Sequence, residues 1–354
     1  MLSTFKRMGA VALAAALAAG APARAEEVVL TISGSGGTLA DVLKEKMQDP
    51  FAAEAGLKVR AVATTNRVAA LKAMKATGKA LWDVTELSGP EYEQAVAGGF
   101  LLPIDWSQVD PEGKMPASAK PRFGLATASY STILAVRTDK LPAGKAMTSW
   151  RDFWDVKSFP GPRALQNKPL DNLEFALIAD GVDKDKVYDL LSTKSGVDRA
   201  FRKLDEIKPH IVAWWTAGAQ PVQLLTNGDA FYTTAWNGRI TKLASDGVPA
   251  DIVWNGGSLK PSFVSIPVGA KHVKQAHQYL AFLIKDPQRN ADYAKAMPYP
   301  GFVPKLYDYM TPEVARTMPT FPANADVQFT MSDKFWVEHQ DELTERWEAW
   351  LQKK

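Results

Sequence analysis

Short apolar runs alternate with amphipathic helical stretches over the first third of the chain. The runs LTISG, GLKVRAVATTN and LWDVTEL are typical of strands, and residues 38–51, RVAALKAMKATGK and YEQAVAGG follow helical patterns. This alternation predicts a parallel, doubly wound α/β sheet. Because ligands bind beyond the carboxyl ends of the strands in such sheets, residues 33–37, 64–67 and 86–89 are expected to share one edge of a cleft.

A second α/β unit follows in the middle of the chain. YSTILAVRTDKL is strand-like, LEFALIADGV and VDRAFRKLDEIKPH are helical, and PVQLLTNGDAFYTTAWNGR indicates a helix, an Asn-Gly turn and an apolar strand. SFVSIPVGAK predicts a further strand, and helical patterns continue from there to the C-terminus. In the last helix, apolar side chains recur at helical spacing and are expected to bury it against a lobe: Trp336, Leu343, Trp347 and Trp350.

The N-terminus has the pattern of a secretory signal peptide. Lys6 and Arg7 precede an apolar run over residues 8–19, and Ala-Arg-Ala stands at 23–25. The run is too short to span a bilayer. We therefore expect residues 1–25 to be removed and the exported, mature chain to start at Glu26.

Removal of the signal also removes the excess of positive charge. The chain has 42 basic and 39 acidic residues, and residues 1–25 hold three of the basic ones and no acid, so 42 − 3 = 39 basic residues face 39 acids. A balanced chain lacks the basic surface with which proteins displace counterions from nucleic acids. We expect no nucleic-acid partner.

The chain contains no cysteine and four histidines. The lack of cysteine excludes thiol catalysis, cysteine zinc sites and iron–sulfur clusters. The histidines show neither i, i+4 pairing nor an HExxH frame, so surface or structural roles are expected for them. No metal and no cofactor is predicted.

The turn GSGG at residues 34–37 fits no familiar catalytic or nucleotide motif. Leu39 stands where GxGxxG requires its third glycine, the chain has no Walker loop, and no GxSxG elbow surrounds Ser35. Two interpretations remain open. The turn offers backbone N–H groups to an anionic or polar ligand group, or it uses glycine only for its backbone angles.

Four segments, in this order and at this spacing, carry a resemblance: TSWRDFWDVKSFPGPRAL, NGDAFYTTAWNGR, SIPVGAKHVKQAHQYLAFLIKDPQ and PYPGFVPKLYDYM. The chain resembles the extracellular solute-binding proteins of ABC importers, in particular the spermidine/putrescine-binding branch, over nearly all of its mature length. The resemblance implies a type II periplasmic binding-protein fold, with two doubly wound α/β lobes joined by two crossing strands. It also implies a periplasmic monomer that closes on a small molecule and docks transiently to a membrane permease.

Mapped onto this chain, the resemblance divides it into two lobes. Lobe one comprises residues 26–136 and 266–354, and lobe two comprises residues 137–265. The crossing segments are expected in YSTILAVRT and FVSIPVG. Ligand contacts from both lobes would then stabilise the closed state that the permease recognises.

The acids with which polyamine receptors hold ammonium groups are partly missing here. Alignment on IPVGA places Lys260 at the family's tryptophan and Ser262 at its aspartate, while a further family acid falls near Asp171 and its companion near Lys168. Lys260 lies in a Gly-rich, Pro-flanked stretch that is predicted to be a loop, and the alternative to a ligand contact there is a simply exposed side chain. These differences run towards positive charge and favour a ligand with at least one carboxylate.

Arg239 in AWNGR is the predicted carboxylate ligand, because a guanidinium captures a carboxylate through two parallel hydrogen bonds. Lys260 and the turn residues Ser35, Gly36 and Gly37 are expected to help. The remaining candidates are aromatic: Trp236, one of Trp214 and Trp215, and less surely Trp254 would stack on the ligand, and Tyr130 is either a cleft hydroxyl or a hinge residue.

Other functions stay open at this stage. A polyamine receptor would use Asp171 and Glu86 as its acids. A secreted enzyme lacks a recognisable catalytic set. An iron(III) receptor of this fold would need adjacent tyrosines in lobe two, where FYTT offers one.

Overall fold

A computed structural model of the protein describes residues 28–64 and 66–353, and the predicted signal peptide over residues 1–25 lies outside this part. The strands are β1 Val29–Gly34, β2 Lys58–Ala63, β3 Val84–Ser88, β4 Leu125–Arg137, β5 Arg163–Gln166, β6 Ile211–Trp215, β7 Tyr232–Trp236, β8 Ala250–Ser265 and β9 Phe329–Thr330. The α-helices are α1 Thr38–Leu43, α2 Asp49–Ala55, α3 Arg67–Thr77, α4 Gly89–Ala97, α5 Trp106–Val109, α6 Trp150–Trp154, α7 Asn172–Ala179, α8 Val187–Leu191, α9 Lys194–Ile207, α10 Gln220–Asn227, α11 Asn237–Ser245, α12 Val273–Lys285, α13 Pro287–Ala296, α14 Pro312–Ala315, α15 Pro322–Ala325 and α16 Asp333–Gln352.

Two long strands connect the halves of one continuous sheet. Within the described residues the strand order is β2-β1-β3-β8-β4-β7-β5-β6, and β9 pairs with β8. The outer pairs, β1 with β2 and β3 and β5 with β6 and β7, are parallel. The central pairs β3–β8, β8–β4 and β4–β7 are antiparallel. The predicted α/β fold with two lobes and two crossing strands is confirmed.

Each half has its own apolar core. The first core joins Leu30 and Val84 of the sheet to Phe51 and Leu280 of the helices. A second large core surrounds Trp150 and contains residues of α6, α7 and α9. Two cores in one chain agree with two lobes, while the exact lobe boundaries stay a prediction.

The last helix packs into the second core. Its residues Trp336, Leu343, Trp347 and Trp350 are at most 5% exposed, which confirms the predicted burial. These side chains contact the cluster around Trp150, although the predicted division gives residues 266–354 to lobe one. The first turns of α16 also approach α4 of lobe one, so this helix touches both lobes.

The helix predicted over residues 38–51 is interrupted by a π-helical turn, Lys44–Gln48, between α1 and α2. Pro50 stands in the first turn of α2. Proline lacks an N–H and its ring clashes with the carbonyl four residues earlier, which here belongs to Lys46. The wider π turn relieves that conflict without ending the helical path.

Candidate functional site

A cleft of about 320 Å³ lies against one face of the central sheet. Residues opposite each other in an antiparallel ladder present their side chains on the same face, and so do alternate residues along a strand. The pairs Glu86–Val264, Tyr130–Lys260 and Thr132–Trp236 therefore connect one face across four strands. The face carries Glu86, Ser88, Ala128, Tyr130, Thr132, Trp236, Lys260 and Ser262.

Glu86 is the carboxylate of the cleft. It stands in β3, lines the cleft and is half-buried. The backbone N–H of Ser35 donates a long, 3.4 Å hydrogen bond to its carboxylate, and no side-chain cation within the described residues forms an ion pair with it. Burial raises the pKa of Glu86 to about 7, and the Ser35 N–H and the Arg67 charge offset this only in part. The cleft thus holds an acid without its counter-ion.

Gly34 gives the Glu86 side chain its space. A Cβ atom built on Gly34 would lie 2.5 Å from a carboxylate oxygen of Glu86, which is closer than van der Waals contact allows. Gly34→Ala should therefore push the carboxylate out of place and weaken ligand binding by about tenfold with little loss of stability, as expected for a misplaced charged contact. Isothermal titration calorimetry of this variant measures the change.

Gly36→Ala is the matched control for this substitution. A Cβ atom there would meet only the Ala63 side chain, at 3.4 Å. Equal losses in the Gly34→Ala and Gly36→Ala variants would contradict the role assigned to Gly34.

Arg67 also lines the cleft but has its own partner. Its guanidinium donates to Glu91 at 2.9 Å and to the carbonyl of Thr64 at 2.9 Å. Glu91 in turn accepts from the backbone and hydroxyl of Ser88, and these donors together with Arg67 hold the pKa of Glu91 below its usual value despite burial. The Arg67 Nε is buried and has no partner among the described residues, so this arginine keeps hydrogen-bond donors for a ligand.

Three aromatic side chains form the wall between the lobes. Tyr130 makes edge contacts with Trp236 and Tyr299, each at 6.4 Å between ring centroids, and all three line the cleft. Trp215 is 1% exposed and packs on Trp236 from behind, with its indole N–H donated to Thr234. The fixed rings provide an apolar, planar surface for the body of a ligand.

Arg239 stands beside this wall on the second lobe. Its guanidinium carbon lies 5.5 Å from the centre of the Trp236 ring, and the residue is exposed. Arg239 forms no ion pair with any residue in the described part of the chain. Gly218 makes room for this arrangement, since a Cβ atom there would lie 2.3 Å from the Trp236 ring and 3.0 Å from the Arg239 Nε.

Lys260 and Asp171 form a buried ion pair. The Lys260 ammonium donates to the Asp171 carboxylate at 2.5 Å and to the Thr132 hydroxyl at 2.6 Å, and both charged side chains are at most 4% exposed. The predicted loop around Lys260 is wrong, because β8 continues through this stretch and pairs with β4 along its length. The glycines and Pro261 predict a turn from the local sequence. The pairing of β8 in the centre of the sheet outweighs that local preference.

Five of the eleven predicted site residues line the cleft: Ser35, Glu86, Tyr130, Trp236 and Ser262. Six do not: Gly36 and Gly37, which are exposed in the turn, Arg239 beside Trp236, Trp215 behind it, and the buried pair Asp171 and Lys260. Trp214 packs instead on Trp347 and Trp350 of α16, and Trp254 lies against the apolar cluster around Ile133.

The lining residues that were not predicted as ligand contacts include Arg67, Tyr293 and Tyr299. Arg67 lies in the strand-end segment 64–67 that was expected at the cleft edge, so that signal was available. No local pattern marks the two tyrosines. Within residues 28–64 and 66–353, no cluster of His, Cys, Asp and Glu could hold a metal ion, and no helix is long and apolar enough to cross a membrane.

Comparison with known proteins decides the family. The family model described as bacterial extracellular solute-binding protein matches residues 46–323. The chain belongs to the bacterial extracellular solute-binding proteins. This solute-binding protein is the receptor of an ABC importer, for which it binds a small organic solute.

Relatives cover nearly all of the solute-binding protein. A γ-aminobutyric acid-binding protein of Pseudomonas aeruginosa is 36% identical over 335 residues, which are 94% of each chain. An ABC transporter substrate-binding protein from Bradyrhizobium japonicum is 34% identical with a TM-score of 0.79, covering 92% of this chain and 100% of that one. The structure described as the Atu4243-GABA receptor is 31% identical with a TM-score of 0.78, covering 92% and 98%. These matches show the broader family and do not single out the polyamine branch.

Proposed function

We propose that this protein is the receptor for a short ω-amino acid of the 4-aminobutyrate class. In the bound state the ligand ammonium pairs with Glu86 of the first lobe and the ligand carboxylate with Arg239 of the second. The carbon chain between them rests on Tyr130 and Trp236. The relatives whose names state γ-aminobutyric acid as the ligand support this class.

The observation that carries the proposal is the uncompensated Glu86 carboxyl. Arg67 and Glu91 neutralise each other, so Glu86 is the lining charge that lacks a partner within the described residues. A half-buried carboxylate with a pKa of about 7 gains most from an arriving cation. A ligand with an ammonium group supplies that cation.

Arg239 supports the other end of the ligand. Its unpaired guanidinium lies next to the Trp236 ring, which desolvates one of its faces. A ligand that pairs with charges on both lobes favours the closed state over the open one, because only closure brings both partners within reach. This is the differential affinity that a hinged receptor requires.

The polyamine alternative is not favoured by the charges. Asp171, one of the two acids that it requires, is already bound to Lys260 inside the protein. A diamine would leave one ammonium group without a carboxylate and would place it near Arg239. Such a desolvated charge without a partner costs binding free energy.

A thermal-shift screen of the purified mature protein tests the proposed ligand class. Bound ligand stabilises the folded state by RT ln(1 + [L]/Kd), about 2.7 kcal/mol at a hundredfold excess over Kd. We expect 4-aminobutyrate and its neighbours in chain length to raise the Tm at pH 8, and dicarboxylates, α-amino acids with apolar side chains and putrescine to have little effect. Stabilisation by putrescine alone, or by none of the ω-amino acids, would refute the proposal.

We also propose that the protein works in the periplasm as a monomer without catalytic activity, after removal of residues 1–25. The charged and apolar pattern of those residues supports export. The intact mass of protein recovered from the periplasm is expected to correspond to a chain that starts at Glu26. A mass that retains residues 1–25 would contradict the cleavage.

A further inference from the structure

The ion pair between Lys260 and Asp171 lies next to the aromatic wall of the cleft. The Lys260 ammonium is 5.6 Å from the centre of the Tyr130 ring, and Tyr130 lines the cleft. Lys260 and Ser262 share one face of β8, and Ser262 also lines the cleft. The buried pair therefore lies next to a ring and a strand that both line the ligand space.

Asp171 has the features of an acid that could receive a ligand cation. It precedes α7 with a φ of 74°, a left-handed backbone conformation that is strained for a residue with a side chain. One carboxylate oxygen accepts the Lys260 ammonium, and the other is buried without a well-formed hydrogen bond, with the Ser258 hydroxyl nearby. The Asp171 carboxylate is thus only partly hydrogen-bonded, and its positively charged partner is the Lys260 side chain.

We propose that Lys260 determines the specificity of the cleft by occupying Asp171 in place of a ligand ammonium group. With Lys260 present, the second lobe offers a ligand the positive Arg239, and none of its acids in the described part of the chain lines the cleft. Diamines are rejected, and a ligand with one ammonium and one carboxylate is accepted in a single orientation. The inference rests on the proposed function, since it explains which ligands the same cleft excludes.

Other charged groups face the pair, but among the described residues Lys260 is the cation bonded to Asp171. Lys168 and Glu174 lie near Asp171, and Asp333 and Tyr130 also interact with the pair. Glu174 accepts hydrogen bonds from Tyr188 and Trp336. Within residues 28–64 and 66–353, Lys168 has no carboxylate within ion-pair distance. Removal of the Lys260 ammonium would leave Asp171 without a bonded cation.

Lys260→Ala tests this by creating space for an ammonium group beside an intact Asp171. Calorimetric titration with 1,4-diaminobutane should show at least a tenfold gain in affinity over the unmodified protein, because both diamine ends then meet an acid, Asp171 and Glu86. Affinity for 4-aminobutyrate should fall. A folded Lys260→Ala protein with unchanged affinity for the diamine would overturn the proposal.

The matched control is the double variant Lys260→Ala with Asp171→Asn, which has the same added space but no free carboxylate. It should reject the diamine as the unmodified protein does, and an equal gain in the double variant would overturn the proposal. If circular dichroism shows that Lys260→Ala alone does not fold, the double variant still tests the proposal. A double variant that binds the diamine as tightly as 4-aminobutyrate would contradict the role of the Asp171 charge. If the unmodified protein binds no ω-amino acid, the proposed function fails while the diamine comparison still tests Lys260.

Discussion

Glu86→Gln is expected to abolish stabilisation by 4-aminobutyrate. The substitution keeps the shape of the side chain and removes the negative charge that the ligand ammonium requires. Loss of one partner of a desolvated charge pair costs about 2–5 kcal/mol, which corresponds to a loss of affinity of roughly 30-fold to several-thousand-fold. Isothermal titration calorimetry at pH 8 measures the loss.

The same substitution should make the free protein more stable at pH 8. The pKa of Glu86 is about 7 in the folded protein and about 4.3 for an ordinary glutamate, so the folded state binds the proton more tightly. The contribution of Glu86 to stability therefore decreases as the pH rises from about 4.3 to about 7. We expect Glu86→Gln to raise the free energy of unfolding by about 1–3 kcal/mol at pH 8 and to have little effect near pH 4.

Glu112→Gln is the control, because Glu112 is a surface residue whose side chain is 69% exposed. It should change neither the affinity nor the pH dependence of stability. Chemical denaturation of both variants at pH 4 and pH 8 measures the free energy of unfolding. It should depend on the substitution at Glu86 and not on the one at Glu112. A Glu86→Gln protein that binds 4-aminobutyrate normally would show that the ammonium group is held elsewhere.

Arg239→Ala is expected to weaken binding of 4-aminobutyrate by at least about 100-fold, since the ligand carboxylate loses its charged partner on the second lobe. The fold should change little, because Arg239 is exposed and makes no ion pair with the described residues. Calorimetry of the variant, with thermal unfolding of the free protein as the check on folding, measures both effects.

Arg239→Lys and Arg202→Ala complete this comparison. A lysine keeps the charge without the planar, paired donors of a guanidinium, so an intermediate loss is expected. Arg202 is an exposed arginine of α9, outside the residues that line the cleft, and its removal should have no effect. Wild-type affinity in the Arg239→Ala variant would reject the assignment.

Much of the fold could be predicted because hydrophobic periodicity is a local property of the sequence. The strand–helix alternation over residues 30–97 and the crossing strand β4 produced clear patterns, whereas the predicted strand SFVSIPVGAK overlaps only the last four residues of β8. The short strands β5 and β6 were missed, since four or five residues show too few alternations to be distinguished from the loops around them.

The candidate site was harder to predict because it depends on pairings across the sheet. Trp236 and Arg239 could be named from AWNGR, and Glu86 from its position at the end of a strand. The Lys260–Asp171 pair joins residues 89 positions apart. No local pattern in the sequence reveals that Lys260 is buried or that Asp171 is its partner. The sequence therefore predicted a positive ligand group at Lys260, whereas the structure places that charge inside the protein.

The most direct test of the central claim is calorimetric titration of the unmodified mature protein at pH 8 with three ligands: 4-aminobutyrate, butylamine and butyrate. The two monofunctional ligands carry one charged end each on a chain of the same length. Recognition of both ends, by Glu86 and Arg239, predicts that 4-aminobutyrate binds and that each monofunctional ligand binds at least about 100-fold more weakly. Affinity of butylamine or butyrate within about tenfold of that for 4-aminobutyrate, or no binding of 4-aminobutyrate, would contradict the account.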